Sequence, residues 1–576
     1  MKLILRLLAA MLIALAIVAA WMWWNRPGRS DMADFAPADA IVYLESNSLV
    51  DIAEGVVKAD AWKALSPYIA NTGDQLPSPW LRRFTAWTGI GPTSGVILAR
   101  AQVAVVMLDL GAREQGDTIT IKPQAALLIE THTSRSRINS TVEQYLELFA
   151  DKAYGQPTFA RNNVGGTELL VWSAPGSDRR IVAAVDGSLV IVGNSESAVT
   201  VCLEVHRGQR PSLRQNNELQ QIRAQLASDK ALAFGFVSSA HAAQLISLGA
   251  PLLFGRSPGG LNFDRLISSS APKVVGAAGW SAQPLAGGIE DRYLFSLQPT
   301  LIARLQPFFG TTNEKGLVSI SPEELQSLTI YKFAEPLATW QAVQTALSSQ
   351  LDALSAVIFT SLLKSALMPY GIENPEEFLR SVGPEVMTVR LKPSSQGATL
   401  IAQVRDESAL RGLLSKTNLS NAGKNLIQED RSAPSDTSDG AGGTTSTNFV
   451  NGYVVIGPER DVQRLSQMLF RPNTVPSDQL NQLYHFVPFT SSANVVTYAN
   501  DAERIRNFIL AIGRAQRQAG ATTESSELDR AVESLPFAGT ETVLTDRGLD
   551  RRTKSAFGQF STLLPLLFPE HRSPNK

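Results

Sequence analysis

"VDGSLVIVG", Val185 to Gly193, returns later in the chain as "VNGYVVIG", Val450 to Gly457. Asp-Gly or Asn-Gly between β-rich runs is a strong hairpin signal, because a type I′ turn needs positive φ at both central residues. Each copy ends in a glycine and feeds a helical pattern, "NSESAVTVCLEV" in the first and "PERDVQRLSQML" in the second. The strings are therefore read as one strand-turn-strand-helix unit used twice.

Cognate strings keep the same order over most of the chain. "TGIGPTSGVILARAQVAVVML" from Thr88 is answered by "YGIENPEEFLRSVGPEVMTVRL" from Tyr370, and "RPSLRQNNELQQI" from Arg210 by "RPNTVPSDQLNQL" from Arg471. "GIEDR" at Gly288 is matched by "GLDRR" at Gly548. Offsets fall from 282 for Gly89 and Gly371, through 265 for Gly187 and Gly452 and 261 for Pro211 and Pro472, to 260 for Gly288 and Gly548. A duplication trimmed by small deletions gives that trend.

Two tandem homologous domains are expected, at 37–310 and 317–569, joined by a linker at 311–316 and followed by a tail at 570–576. Within a copy the order is an opening strand ("AIVYLES"; "SLTIYKF"), a helical stretch and a strand pair ("QVAVVMLDL" with "QAALLIETH"; "EVMTVRL" with "ATLIAQV"). Another helix such as "STVEQYLELFADK", the hairpin and its helix, a last strand ("ALAFGFV"; "ANVVTYA") and a terminal hairpin follow. Consecutive hairpins predict an α+β fold, each domain a largely antiparallel sheet with helices packed on one face. "RSAPSDTSDGAGGTTST", Arg431 to Thr447, replaces the strand "TELLVWSA" of the first copy with small polar residues and is expected to be a flexible loop.

The first residues set the compartment. Lys2 and Arg6 precede an apolar run of 18 residues, Leu7 to Trp24, about the length that crosses a bilayer as a helix. Trp21, Trp23 and Trp24 at its far end suit the interfacial belt. Length and tryptophans favour an uncleaved anchor within residues 1–25 over a signal cleaved after "VAA", Val18 to Ala20. The polar stretch Asn25 to Ala40 reads as a short tether, with a linker at 26–36. A single-pass cell-membrane protein is expected, with its body outside the cytoplasm, in the periplasm or beyond.

The anchor, "PADAIVYLESNSL", "DGSLVIVGNSESAV" and "RPSLRQNNELQQI" resemble a family of bacterial single-pass envelope proteins known as a domain of unknown function. The resemblance spans most of the first copy and, more weakly, the second. It implies a membrane-anchored, extracytoplasmic, duplicated α+β body and supplies no catalytic residues.

Composition excludes some classes. With 576 residues, 52 basic against 53 acidic and a net charge of -1, the chain lacks the basic excess of a nucleic-acid binder. The single cysteine, Cys202, precludes an intramolecular disulfide and reads as a small buried residue on a helix. His132, His206, His241, His485 and His571 never stand three or four residues apart, so no helical metal pair is formed.

"SLLK", Ser361 to Lys364, has Ser-x-x-Lys spacing without the companion motifs of penicillin-recognising enzymes. "DTSDG", Asp436 to Gly440, lacks the alternating oxygens and closing Glu of a calcium loop. "NST" at Asn139 and "NLS" at Asn418 are glycosylation triplets only in a glycosylating host. No nucleophile elbow, phosphate loop or dinucleotide fingerprint appears.

No catalytic, cofactor or metal residues are therefore assigned, and the chain is read as non-catalytic. The leading expectation is a binding or scaffold module of the envelope whose partner is a protein or the cell wall. The alternative is a carrier or sensor of a lipid or other hydrophobic ligand, for which "LISLGAPLLFG", Leu245 to Gly255, and "STLLPLLFP", Ser561 to Pro569, could line a groove.

Overall fold

The computed structural model describes residues 29–69, 101–115, 118–242, 245, 275–308, 323–348, 367–392, 397–415, 445–470, 485–486, 493–516 and 526–567. It is α+β, and its strands pair antiparallel throughout. Two compact units divide the chain, Met1–Val50 with Gly89–Asn216, and Asp51–Thr88 with Asn217–Lys576. This division does not follow the tandem copies: it falls inside the first of them.

Along the chain, β1 (Val42–Ser46) precedes helices α1 (Leu49–Lys58) and α2 (Asp60–Ile69). Then come β2 (Gln102–Asp109), a small hairpin of β3 (Ala112–Gln115) and β4 (Thr118–Ile121), β5 (Gln124–Glu130) and the 20-residue helix α3 (Arg135–Tyr154). Strands β6 (Thr158–Val164), β7 (Thr167–Ser173), β8 (Arg180–Asp186) and β9 (Leu189–Gly193) lead to α4 (Glu196–His206). In the first unit the sheet order is β1-β2-β5-β9-β8-β7-β6.

Helices cover both faces of this sheet, which corrects the one-faced arrangement expected. Ala150 of α3 packs with Leu170, Trp172, Ile181 and Ala183. On the other face, α4 sets Val199 and Ala198 against Gly193, which lies opposite Val182. The physical reason stands in the sequence: "ELLVW" and "IVAAV" are continuous apolar runs, as strands buried on both sides must be. Ser195 caps α4 by accepting from the Ala198 amide at 3.1 Å.

The second unit continues with α5 (Asn217–Leu226), β10 (Ala233–Val237), β11 (Val275–Leu285), β12 (Gly288–Leu297), α6 (Pro299–Leu305), β13 (Leu325–Lys332), α7 (Pro336–Ser348), α8 (Pro375–Ser381), β14 (Val382–Leu391) and β15 (Thr399–Val404). It ends with β16 (Thr445–Val450), β17 (Tyr453–Pro458), α9 (Glu459–Phe470), β18 (Val495–Ala499), α10 (Ala502–Gln516), α11 (Ser526–Glu533), β19 (Ala538–Thr545), β20 (Gly548–Ser555) and α12 (Phe560–Leu567). Its sheet order is β10-β11-β12-β20-β19-β18-β13-β14-β15-β17-β16. The stretch β13-β14-β15-β17-β16 repeats the connectivity of β1-β2-β5-β9-β8.

Both faces are covered again. Val462 and Leu465 of α9 pack with Leu328, Met387 and Ile401 on one side. Phe378 of α8 and Leu410 and Leu414 of a helix over 407–415 meet Leu400 and Ile456 on the other. A separate core joins Ala59, Ala61 and Leu65 of the α1–α2 segment to Phe508, Leu528 and Phe557. Helices of the first copy thus share a core with helices of the second.

The terminal hairpins of the two copies pair with each other through β12 and β20. Ile289 faces Ser555, Arg292 faces Arg552 and Phe295 faces Leu549. With Gly288 equivalent to Gly548, this register maps onto itself when the copies are exchanged, as in an isologous dimer contact.

The opening hairpins differ from each other. Asn451 (φ 48°) and Gly452 (φ 79°) form the expected turn between Val450 and Tyr453. In the first copy Asp186 stays in the strand opposite Leu189, and the turn is Gly187 (φ 65°) with Ser188. The Asp186 carboxylate instead pairs with Arg207 at 3.0 Å, and the Ser188 carbonyl accepts from the Thr131 amide and hydroxyl. A two-residue slide relates the hairpins, which leaves every side chain on its original face.

Two further expectations need correction. From Ser30 on, the tether is docked: the Ser30 amide donates to Gln102, Met32, Ala33 and Ala36 are buried, and Leu213 donates to the Ala36 carbonyl. Apolar Met32 and the alanines gain by burial, which a polar spacer would not. Thr445–Thr447 of the expected loop open β16, because each has a ladder partner in β17, while 431–444 lie outside the described residues. Among the described residues no helix is long and apolar enough to cross a membrane; Leu7 to Trp24 lies outside them.

Cys202 sits on α4 with no exposed surface, and burial pushes its thiol up to about 12. It should resist a thiol reagent at pH 8 in the native protein and react at once in guanidinium chloride, as absorbance would follow. Fast native labelling would contradict the packing described.

Candidate functional site

The face of the first sheet that carries α3 is apolar beyond the helix. Leu44, Val105 and Leu127 form one cross-strand row, Val42, Met107 and Ala125 the next, and Val103 with Ile129 a third. The alternate residues Tyr43, Ala104, Val106 and Leu128 are fully buried on the opposite face. Val105, in mid-strand, is 43% exposed, and Leu148 and Phe149 of α3 are 54% and 60% exposed. Clustered apolar side chains left open to water mark interaction surfaces.

The corresponding row of the second copy is Thr329, Thr388 and Leu400, polar at two of its three places. "QVAVVM" matches "EVMTVR", so Val105 corresponds to Thr388. Thr388, Thr329, Thr497, Thr540 and Thr553 stand in register across five strands, and the row runs on to Asp291. The Thr329 and Thr497 hydroxyls hydrogen-bond at 3.1 Å, those of Thr540 and Thr553 at 3.0 Å. Such pairs satisfy each other and stabilise the sheet. Threonines thus replace Leu44 and Val105 in the second copy, while Leu400 keeps the place of Leu127 apolar.

Polar side chains gather at the strand ends of the same unit. Gln102 is 1% exposed: its Oε1 accepts from the Ser30 amide at 2.8 Å, and its Nε2 donates to the Ser30 carbonyl at 2.8 Å and to Asn47 at 3.0 Å. His132 Nε2 lies 3.1 Å from Gln102 Oε1. Because that oxygen has only lone pairs to offer, the ring donates from Nε2. His132 has φ 52°, uncommon for a residue with a side chain, and its amide donates to Glu130 Oε1 at 2.8 Å. The two Ser30 bonds fasten the incoming chain to the start of β2, and His132 ties the end of β5 to the same glutamine.

The other histidines are also placed locally. His206 stacks edge-on against Phe35 with centroids 5.3 Å apart, beside a groove of 550 Å³ bordered by Asp34, Arg210 and Gln215. Its flanking cations are already engaged, Arg210 with Glu204 at 2.7 Å and Arg214 with Asp34 at 2.8 Å. His241 Nδ1 is 2.9 Å from Ser238 Oγ, and His485 stacks on Phe486. Among the described residues no three His, Cys, Asp or Glu converge as metal ligands. Asn139 lies within α3. His571, Ser361, Lys364, Asn418, Asp436–Gly440 and most of Leu245–Gly255 lie outside the described residues.

Among the described residues the second unit buries four carboxylates, Asp291, Asp461, Glu541 and Asp550, of which Asp291 is the least exposed. Asp291 is 1% exposed, accepts from Trp280 Nε1 at 2.9 Å and from the Gln559 amide at 2.9 Å, and is pushed up to about 6 by burial. The Trp280 bond ties β11 to β12 and the Gln559 bond ties the hairpin to the start of α12, so its role here is to fasten them.

No family model, no curated protein and no solved structure matches the chain. The family resemblance accordingly extends no further than the strings that carry it. The open apolar surface was missed in the sequence, although a signal was present: in "VEQYLELFA" the positions Val142, Leu146 and Ala150 already supply a core stripe, so Tyr145, Leu148 and Phe149 are surplus to it.

Proposed function

We propose that the chain is a non-catalytic, extracytoplasmic binding protein, held at the cell membrane by Leu7–Trp24 and built from two tandem copies of one α+β fold, like the envelope family it resembles. Of the two partner classes expected, the hydrophobic ligand is favoured. The observation that carries it is the apolar sheet face of β1, β2 and β5 with Val105 open at its centre. Thr329 and Thr388 at the corresponding places in the second copy indicate that the fold does not require apolar residues at Leu44 and Val105.

A ligand with an acyl chain would cover Leu44, Val105 and Leu127, gaining on the order of 1 kcal/mol for each half-exposed side chain removed from water. Lipid content can be read by mass spectrometry on the full chain purified from a bacterial envelope in detergent. A stoichiometric apolar molecule is expected in the native protein and in Val105→Ile, and its loss in Val105→Asp. Equal lipid content in all three would refute the assignment.

A further inference from the structure

We propose that α3 makes a second contact with the bilayer, laying Tyr145, Leu148, Phe149 and Lys152 on the surface of the membrane from which the chain is tethered. This rests on the anchoring proposed above and adds where the body touches the lipid.

The first argument is reach. Ser30 is clamped by Gln102, and only Asn25–Arg29 separate it from the end of the apolar run. Five residues span at most about 17 Å, so the first unit is held against the bilayer. Gln102 also binds His132, two residues before the N-cap Ser134, so α3 begins where the tether enters. Leu148 lies thirteen residues beyond the start of α3, roughly 20 Å along its axis, and reaches the lipid when the helix lies along the membrane surface.

The second argument is the distribution of residues around α3. Val142, Leu146 and Ala150 point into the core. Glu143 lies to one side, where it pairs with Arg161 at 2.6 Å. Tyr145, Leu148, Phe149 and Lys152 recur at i, i+3, i+4 and i+7, turned away from that ion pair, and the leucine and phenylalanine are more than half exposed. This aromatic, aliphatic and lysine stripe, bordered by exposed Asp151, suits the headgroup boundary, where rings and methylenes enter and the charged groups stay with water and phosphate.

The test uses the full chain in vesicles of phosphatidylethanolamine and phosphatidylglycerol with brominated acyl chains. Buried Cys202 leaves a new cysteine as the accessible thiol, so Leu148→Cys and, across the Arg161–Glu143 pair, Phe159→Cys can each carry an environment-sensitive fluorophore. Quenching at position 148 at least twice that at position 159, and halved by adding Phe149→Asp, is the expected result. Equal quenching at both positions, in a chain that resists alkaline carbonate extraction, would overturn the second contact and leave the anchor standing. A chain released by carbonate would remove the anchor and this contact together.

Discussion

Replacing Asp550 with alanine is expected to destabilise the second unit by about 3 kcal/mol, because the pairing of the two terminal hairpins sets like charges face to face. Arg292 and Arg552 are direct cross-strand partners, an arrangement that is unfavourable on its own. Asp550 lies between them, accepting from Arg292 Nε at 3.1 Å and Nη2 at 2.6 Å, with Arg552 Nη2 at 3.4 Å. Burial alone would raise the Asp550 carboxyl, yet the two guanidiniums prevail and hold it below the ordinary carboxylate range. Its removal leaves Arg552 with Glu541 at 4.0 Å and Arg292 with the Gln225 carbonyl.

The near-symmetry of the junction supplies a control. Glu290 occupies the place in the first copy that Asp550 occupies in the second, but it is half-buried and faces Lys554. Glu290→Ala should cost well under 1 kcal/mol, as the loss of a half-buried carboxylate facing solvent does. Urea unfolding of the two variants measures the contrast, and adding Arg292→Leu to Asp550→Ala should recover part of the loss by removing one of the opposed charges. Equal small effects for Asp550 and Glu290 would mean that the junction is held by its backbone ladder alone.

This junction also shows how far the sequence could be read. "GIEDR" and "GLDRR" announced equivalent hairpins, and the opening strands, the strand pairs and the repeated hairpins fall where their patterns placed them, while β3, β4 and β6 and the start of β16 do not. That the hairpins pair with each other was not legible, because strand alternation reports a strand's faces and says nothing of its edge partner. The continuous apolar runs of β7 and β8 carry the signal of the second helix layer, because a strand buried on both faces does not alternate. The compact division was hidden for a different reason: the α1–α2 segment precedes the strand pair in sequence and joins the α10–α11 core in space. Long-range docking of that kind leaves no local periodicity. As for the binding surface, Val105 belongs to an ordinary strand pattern, and only its exposure singles it out.

Asp291 was equally invisible, a polar residue in a polar string, and it gives the second large effect. Its carboxyl is raised from 3.8 to about 6 in the folded protein by burial, against the opposing pull of Trp280, the Gln559 amide and Arg504, with Glu290 adding to the rise. The native state therefore holds this proton more tightly than the unfolded chain. The associated stabilisation is fully present below pH 3.8 and is lost as pH rises through about 6, a change of about 3 kcal/mol by pH 8. Other titrating groups cancel when Asp291→Asn is compared with the native chain at each pH. Asparagine keeps an acceptor for one donor and opposes the other with its amide, so the variant should be less stable by about 1 kcal/mol near pH 4. The difference should then change sign, the variant becoming the more stable by about 2 kcal/mol at pH 8. A difference that stays flat across that range would mean that Asp291 remains ionised and solvated, and that α12 is held to the β11–β12 hairpin more loosely than the hydrogen bond from the Gln559 amide implies.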